Sequence, residues 1–311
     1  MLNNEQLKDA LNSVITIPLI PFRNGLIDYD AHARNIRYLM DNNHLSGNRP
    51  RVICVAGTSL IHHVSTDDQN RLMEVTGKVM GSAGILISAI APNPIDSAAE
   101  LIRTQAAMQR VPDAYLIMPL GGTYSLEGLY RTFREFAEQN GKLHNARFLY
   151  YYRQPRDRDA IIRLVNDCEY FIGVKIGTVE EDVPVFTEAL GNRGMVIWGV
   201  GDRSTRAAEL GALGHTSGIS VLFARAGDEI NNAQRRGDYV ASREMENRIT
   251  PLEEIRFENG RVYNYAAVVE GMLQSGFDDI DAGEGGPFNP RVPAEVAARV
   301  QSAIEKNLDL H

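Results

Sequence analysis

Cysteine is nearly absent. Cys54 and Cys168 are the only two in 311 residues, so no disulfide framework holds this fold. Both stand among apolar neighbours and read as buried free thiols. That usage suits a reducing compartment, and a cytoplasmic location is expected. Long apolar runs are missing too. Nothing approaches the roughly 20 residues that span a bilayer, so no membrane partner is expected. The N-terminus carries Asn3, Asn4, Glu5 and Gln6 and no apolar core, so no secretory signal is expected there. Positive charge is in deficit: 32 Lys and Arg against 40 Asp and Glu leave a net charge of -8. A polyanion-binding surface is therefore not expected, and no nucleic acid is a partner. Metal and nucleotide motifs are lacking: no His-Glu-x-x-His, no Cys-x-x-Cys, no phosphate-binding Gly-Lys-Ser/Thr loop. His62 and His63 are adjacent, so on a strand they diverge and on a helix they lie about 100° apart. They read as surface or loop histidines, and no metal is expected.

What is present describes an ordinary globular chain, 44% hydrophobic and 23% charged. Short apolar runs recur at Val14–Phe22, Val52–Gly57, Gly84–Ile90, Ala114–Pro119, Arg147–Tyr152, Phe171–Gly177, Met195–Gly201 and His215–Ser220. They lack polar alternation, as parallel strands covered on both faces do. Helical spacing fills the gaps: Ala31–Met40, Asp67–Val79, Ile95–Gln109, Leu126–Asn140, Asp159–Asn166, Val179–Leu190 and Ser204–Leu213. Ser65 ahead of Asp68, and Ser125 ahead of Leu126–Gly128, read as helix N-caps. The alternation predicts an α/β fold, a (β/α)₈ TIM barrel. A doubly wound open sheet is the alternative, but it has fewer strands per domain. From about Gly227 strand-like runs stop. Asp228–Asn247, Tyr263–Ser275 and Pro293–Asn307 read as helices, with a Gly-rich connection at Asp281–Pro290. The expected organisation is a barrel over residues 1–226 and a C-terminal helical extension, 227–311, packed on it.

Barrel chemistry sits where strands end. In Phe171–Gly177 a lysine, Lys175, stands inside an apolar strand, with Phe171, Gly173 and Gly177 on its face by period two. A lysine in such a pocket loses affinity for its proton and can attack a ketone to form a Schiff base. A lysine that reaches the surface or pairs with a carboxylate is the other reading. The fifth run ends in Tyr150, Tyr151 and Tyr152, with Tyr150 and Tyr152 on one face and Tyr151 on the other. Tyr152 ends the strand at about the height of Lys175, where a phenol can move protons or simply fill core. After the second run, Gly57, Thr58 and Ser59 offer amides and hydroxyls suited to a carboxylate, or form an ordinary turn. After the seventh, Gly199-Val-Gly-Asp-Arg-Ser204 imitates a dinucleotide loop but has Ser204 where the third glycine belongs. Ser217-Gly-Ile-Ser220 offers backbone groups at the mouth.

Together, Gly57-Thr-Ser59, Tyr152-x-x-Pro155, Gly173-Val-Lys175, Gly201-Asp202 and Gly218-Ile-Ser220, opened by Pro21-Phe22 with Gly25 and Asp28, resemble the dihydrodipicolinate synthase / N-acetylneuraminate lyase family of class I aldolases. The resemblance runs from about Val14 to Asn307. It implies a (β/α)₈ barrel with a helical extension, assembled as a homo-oligomer, a tetramer or dimer. It implies an imine between Lys175 and pyruvate or another 2-keto acid, with no dissociable cofactor. Tyr152 matches the proton-relaying tyrosine, Thr58 and Ser59 the hydroxyl pair that binds the keto-acid carboxylate, and Ile219 a backbone contact. There are departures. Leu60 and Ile61 replace a usual Gly-Glu, Leu120-Gly-Gly122 follows Pro119 in place of an aromatic pair, and Arg153 replaces an asparagine. Tyr124, Arg156 and Arg158 are offset counterparts of other synthase positions. These departures point to a lyase, aldolase or dehydratase, for a sugar-derived 2-keto acid, with Arg153 binding a second acidic or hydroxylated portion. Dihydrodipicolinate synthase proper and a non-catalytic keto-acid-binding relative are the alternatives.

Overall fold

A computed structural model describes residues 2–55 and 60–311. Among these residues eight parallel strands close into a barrel. They are β1 (Val14–Thr16), β2 (Val52–Val55), β3 (Ile85–Ile90), β4 (Ala114–Ile117), β5 (Phe148–Tyr152), β6 (Phe171–Ile176), β7 (Met195–Trp198) and β8 (His215–Ser217). Each strand pairs with its successor, and β8 closes on β1 through Val14 and His215. Every strand residue is buried, because helices cover one face and the barrel interior the other. This is the (β/α)₈ architecture that the apolar runs predict.

The helices begin where their caps lie. The Ser65 side chain accepts from the Asp68 amide at 3.1 Å and starts Thr66–Met80. Ser125 accepts from the Gly128 amide at 3.0 Å and starts Leu126–His144. Each cap satisfies an amide that has no partner within its helix.

Two expectations need correction. The first apolar run is a strand only over Val14–Thr16. Pro18 and Pro21 have no amide to give a ladder. Phe22–Arg23 then pairs antiparallel with Leu26–Ile27 across Asn24 and Gly25, both at positive φ, as an Asn-Gly hairpin requires. The second correction concerns Asp228–Asn247, which is not one helix. Ala224–Arg235 ends at Gly237 (φ +73°), and Tyr239–Arg261 restarts behind Asp238, whose side chain accepts from the Ala241 amide at 3.0 Å. A glycine followed by a capping aspartate stops one helix and starts another.

The long helix Tyr239–Arg261 is itself broken near its end. Asn259, Gly260 and Arg261 have φ of +48°, +77° and +75°. Ala266–Ser275 and Ala294–Ile304 follow. The glycine-rich connection between them docks on the hairpin: the Glu284 amide donates to the Phe22 carbonyl at 2.8 Å, and Arg23 pairs with Asp281 at 3.1 Å. The C-terminal segments are thereby held beside the C-terminal ends of the barrel strands.

Candidate active site

The site is built on β5, β6 and β7. The register aligns Tyr151 with Lys175 and Lys175 with Ile197. Neighbours in register point to the same side of a sheet. Lys175 is 2% exposed, and its Nζ lies 4.1 Å from the centre of the Tyr151 ring. Gly199, beyond the end of β7, leaves room for it: a Cβ there would come within 2.6 Å of the lysine Cε. Burial holds the Lys175 amine below the ordinary lysine range, with Tyr151 pulling the other way. Burial alone would raise the Tyr151 phenol, but the charges of Lys175, Arg153 and Arg261 outweigh it and bring it below the usual tyrosine range. An amine that sheds its proton easily thus faces a phenol that does the same.

The expected partner of Lys175 was Tyr152, and the structure corrects this. The Tyr152 ring packs 4.8 Å from Phe186 on the helix Asp182–Leu190. Tyr150 likewise meets Phe133, on Leu126–His144, at 5.7 Å. Both point outward to the helical layer, and Tyr151 between them points in. Burial, with Asp182 adding to it, pushes the Tyr152 phenol up to about 12. Phe171 also departs from its expected face. The β5–β6 register shifts between Phe148 and Leu149, so Phe171 packs outward on Phe148 at 5.5 Å. One extra residue reverses the alternation.

Above Tyr151 opens a cavity of about 370 Å³, within the size range of small-molecule sites. Barrel residues Met118, Tyr151, Gly199 and Thr216 form part of its wall. The C-terminal segments supply Arg256, Phe257, Arg261, Asn264 and Tyr265. The sequence reading missed these five residues. The one local signal is Asn259-Gly260, a turn dipeptide between the helices read at Asp228–Asn247 and Tyr263–Ser275. Arg153 lines the cavity. His62 and His63, in a short turn, stand exposed at its wall.

Behind the cavity lies a buried polar cluster. Arg256 pairs with Glu253 and donates to the Asn264 side chain at 2.7 Å. Glu253 accepts from the Asp202 amide at 2.9 Å. Burial, and then the charge of Glu253, raise the Asp202 carboxyl well above its ordinary range. His215 lies 3.8 Å from Asp202, and burial pushes its imidazole down to about 4. The motif around Gly201-Asp202 therefore ties β7 to the helix Tyr239–Arg261.

Gly57, Thr58 and Ser59 lie outside the described residues. Among those described, no three His, Cys, Asp or Glu residues gather as a metal site, and no helix is long and apolar enough to cross a membrane. Cys54 and Cys168 are both buried, and no disulfide joins them.

The profile of the Dihydrodipicolinate synthetase family matches residues 10–290. The chain belongs to that family. It is accordingly an enzyme of the class I aldolase-type lyases. Among its relatives is the 4-hydroxy-tetrahydrodipicolinate synthase of Sulfurimonas denitrificans, 24% identical over 280 residues, covering 86% of this chain and 90% of the relative. The synthase of the same name from a Hydrogenobaculum species is 26% identical over 264 residues, covering 79% and 83%. Among solved structures, dihydrodipicolinate synthase from Bacillus clausii superposes with a TM-score of 0.85 at 21% identity, covering 96% of this chain and 98% of that one. The Acinetobacter baumannii synthase complexed with pyruvate gives a TM-score of 0.81 at 19% identity, covering 97% and 100%.

Against the family resemblance, several positions fall elsewhere. The Ile219 carbonyl accepts from the Leu222 and Phe223 amides, each at 2.8 Å, and Gly218 lines the cavity in its place. The turn into the following helix has consumed that carbonyl. Tyr124 is not among the cavity residues; its hydroxyl donates to Asp157 at 2.9 Å, under the Arg156 guanidinium. Arg158 pairs loosely with Asp159 at 3.5 Å.

Proposed function

We propose that the protein is a Schiff-base-forming lyase for a 2-keto acid, with Lys175 as nucleophile and Tyr151 as the proton-moving phenol. One observation carries this reading: a buried amine lies 4.1 Å from the ring of a buried tyrosine beneath a cavity at the strand ends. Binding alone does not need an amine with a weakened hold on its proton beside an acidified phenol. In the proposed sequence the Lys175 nitrogen attacks the ketone carbon and forms a carbinolamine. Tyr151 gives a proton to the departing hydroxyl, water leaves, and the imine forms. The cationic imine then withdraws electrons as the neighbouring C–C or C–O bond changes. Thr58 and Ser59, on the loop begun by Gly57, anchor the keto-acid carboxylate in this reading. Assembly as a homo-oligomer in the cytoplasm belongs to the same proposal and is checked by light scattering and fractionation.

The test is borohydride trapping. Protein incubated with pyruvate or a longer 2-keto acid, then reduced and digested, should carry the adduct on Lys175. No adduct with any keto acid, from folded protein, would overturn the imine.

The names of the relatives favour a second reading, 4-hydroxy-tetrahydrodipicolinate synthesis itself. Complementation of a diaminopimelate auxotroph separates the two. The displacement of Tyr124 onto Asp157 weighs against it, since no second phenol from that segment reaches the cavity.

A further inference from the structure

Three arginines reach the cavity, and they are not equivalent. Arg256 is already neutralised by Glu253. Arg153 and Arg261 form no ion pair with any described residue. Both gather at Gly177, just past the end of β6. A Cβ on Gly177 would come within 2.6 Å of the Arg153 Cδ and would collide with the Tyr151 ring. The Arg261 Nη2 contacts the Gly177 carbonyl at 3.5 Å. The Arg153 Nη1 stands 3.4 Å from the Tyr151 hydroxyl. No aspartate or glutamate lines the cavity among the described residues.

Two unneutralised guanidiniums at one point form an incomplete site. Each carries donors in a planar fork matched to carboxylate geometry. Arg153 is exposed and Arg261 half-buried, so solvent screens them in part, and an anion seated between them would take donors from both. In the reading above the keto-acid carboxylate is held by Thr58 and Ser59, so it is not the anion these two guanidiniums would take.

We propose that Arg153 and Arg261 form a two-armed anion subsite for the end of the substrate remote from the ketone, and that the preferred substrate is a dicarboxylic 2-keto acid. This rests on the placement of the ketone at Lys175 proposed above. Arg261 reaches the subsite only because the helix Tyr239–Arg261 breaks at three successive residues of positive φ, a conformation that strains a non-glycine residue. The segment after the break, with Asn264 and Tyr265, walls the same cavity.

The experiment is isothermal titration with a matched pair: 2-oxoadipate, and 2-oxohexanoate, which has the same chain without the second carboxylate. Wild-type protein should bind the diacid about tenfold or more tightly, and added salt should narrow the gap. Arg261→Gln and Arg153→Gln should each bring the ratio toward one, and Arg261→Lys should keep part of it. The Lys175→Ala protein should retain the preference, because it does not depend on the imine. Borohydride trapping is read on the same samples. A missing adduct with a preserved diacid preference fails the imine reading alone. Equal affinities in wild type, no measurable binding of the diacid at millimolar concentration, or a preference untouched in both glutamine variants would overturn the subsite. Circular dichroism confirms that each variant is folded, and the Arg153 and Arg261 changes stand in for one another if either unfolds the chain.

Discussion

The two ends of the barrel each hold a pair of arginines, and the pairs are treated in opposite ways. At the end where strands begin, Arg51 precedes β2 and is 1% exposed. Asp228, on the helix Ala224–Arg235, grips it in two parallel bonds of 2.6 and 2.7 Å, and the Leu39 carbonyl accepts from its Nε at 3.0 Å. Arg49 nearby spends its guanidinium on the side chains of Asn231 and Asn232, each at 2.6 Å. At the end where strands finish, Arg256 is paired with Glu253, but Arg153 and Arg261 meet no carboxylate among the described residues. The first end is complete without a ligand and holds the barrel to its last helix. The second is left unsatisfied around a cavity, with a buried amine below it. Among these four arginines, the saturated pair lies at the structural end and the unpaired pair at the functional one.

That contrast can be broken from either side. The largest effect is expected at Lys175. Lys175→Ala should remove the trapped adduct and lower turnover at least about 10³-fold, while the melting temperature stays level or rises. In wild type the trapping rate with pyruvate should climb with pH through an apparent pKa below the ordinary 10.5 of lysine, because burial disfavours the charged amine. A limb centred at 10.5 would show that the amine is not desolvated. Next comes Tyr151→Phe, expected to slow turnover about 10²–10⁴-fold. It should also shift the trapping limb to lower pH, since Tyr151 is the main group holding the lysine pKa up.

At the closed end, Asp228→Ala should destabilise the fold by about 3–5 kcal/mol, because Arg51 is left charged and unpaired in the interior. Denaturant melts check this, and the diacid preference should survive in the folded fraction. A smaller effect is set by His32, fully buried on the Thr76 hydroxyl at 2.8 Å, with burial pushing its imidazole down to about 4. The unfolded chain binds a proton near pH 6.5 and the folded one does not, so this site contributes a loss of stability that grows as pH falls from 6.5 through 4. The loss amounts to about 3 kcal/mol. Comparing acid melts of wild type and His32→Gln isolates it: the variant should show the shallower decline. The smallest effect belongs to Tyr152→Phe. Its hydroxyl reaches only the Pro155 carbonyl at 3.4 Å, so turnover should stay within about threefold. A collapse of activity there, with Tyr151→Phe unimpaired, would reverse the assignment of the two tyrosines.

The sequence made the barrel legible because eight short runs without polar alternation have few other homes than strands covered on both sides. It made Lys175 legible for the same reason, as one charge in an apolar strand. It misled at Tyr152 because three tyrosines in a row carry no polarity by which to tell inside from outside. The choice of face is made by pairing with β6, whose register shift at Phe148/Leu149 no local pattern announces. Arg261 was out of reach altogether. It approaches Gly177 from 84 residues away, and the helix break that aims it is a three-residue event between two segments that read as helices. Arg153 was found because it sits beside the tyrosines, but its role depends on a partner that only the tertiary structure supplies.

The break at Asn259–Arg261 also divides labour along the chain. The group that grasps the far end of a ligand is carried by a short kink outside the barrel, whereas the reacting amine is carried by a strand within it. Such a kink can be rewritten, lengthened or given a different side chain while every strand keeps its register. Descendants of this protein could therefore trade one ligand for another by changes confined to a few positions, inheriting the chemistry intact.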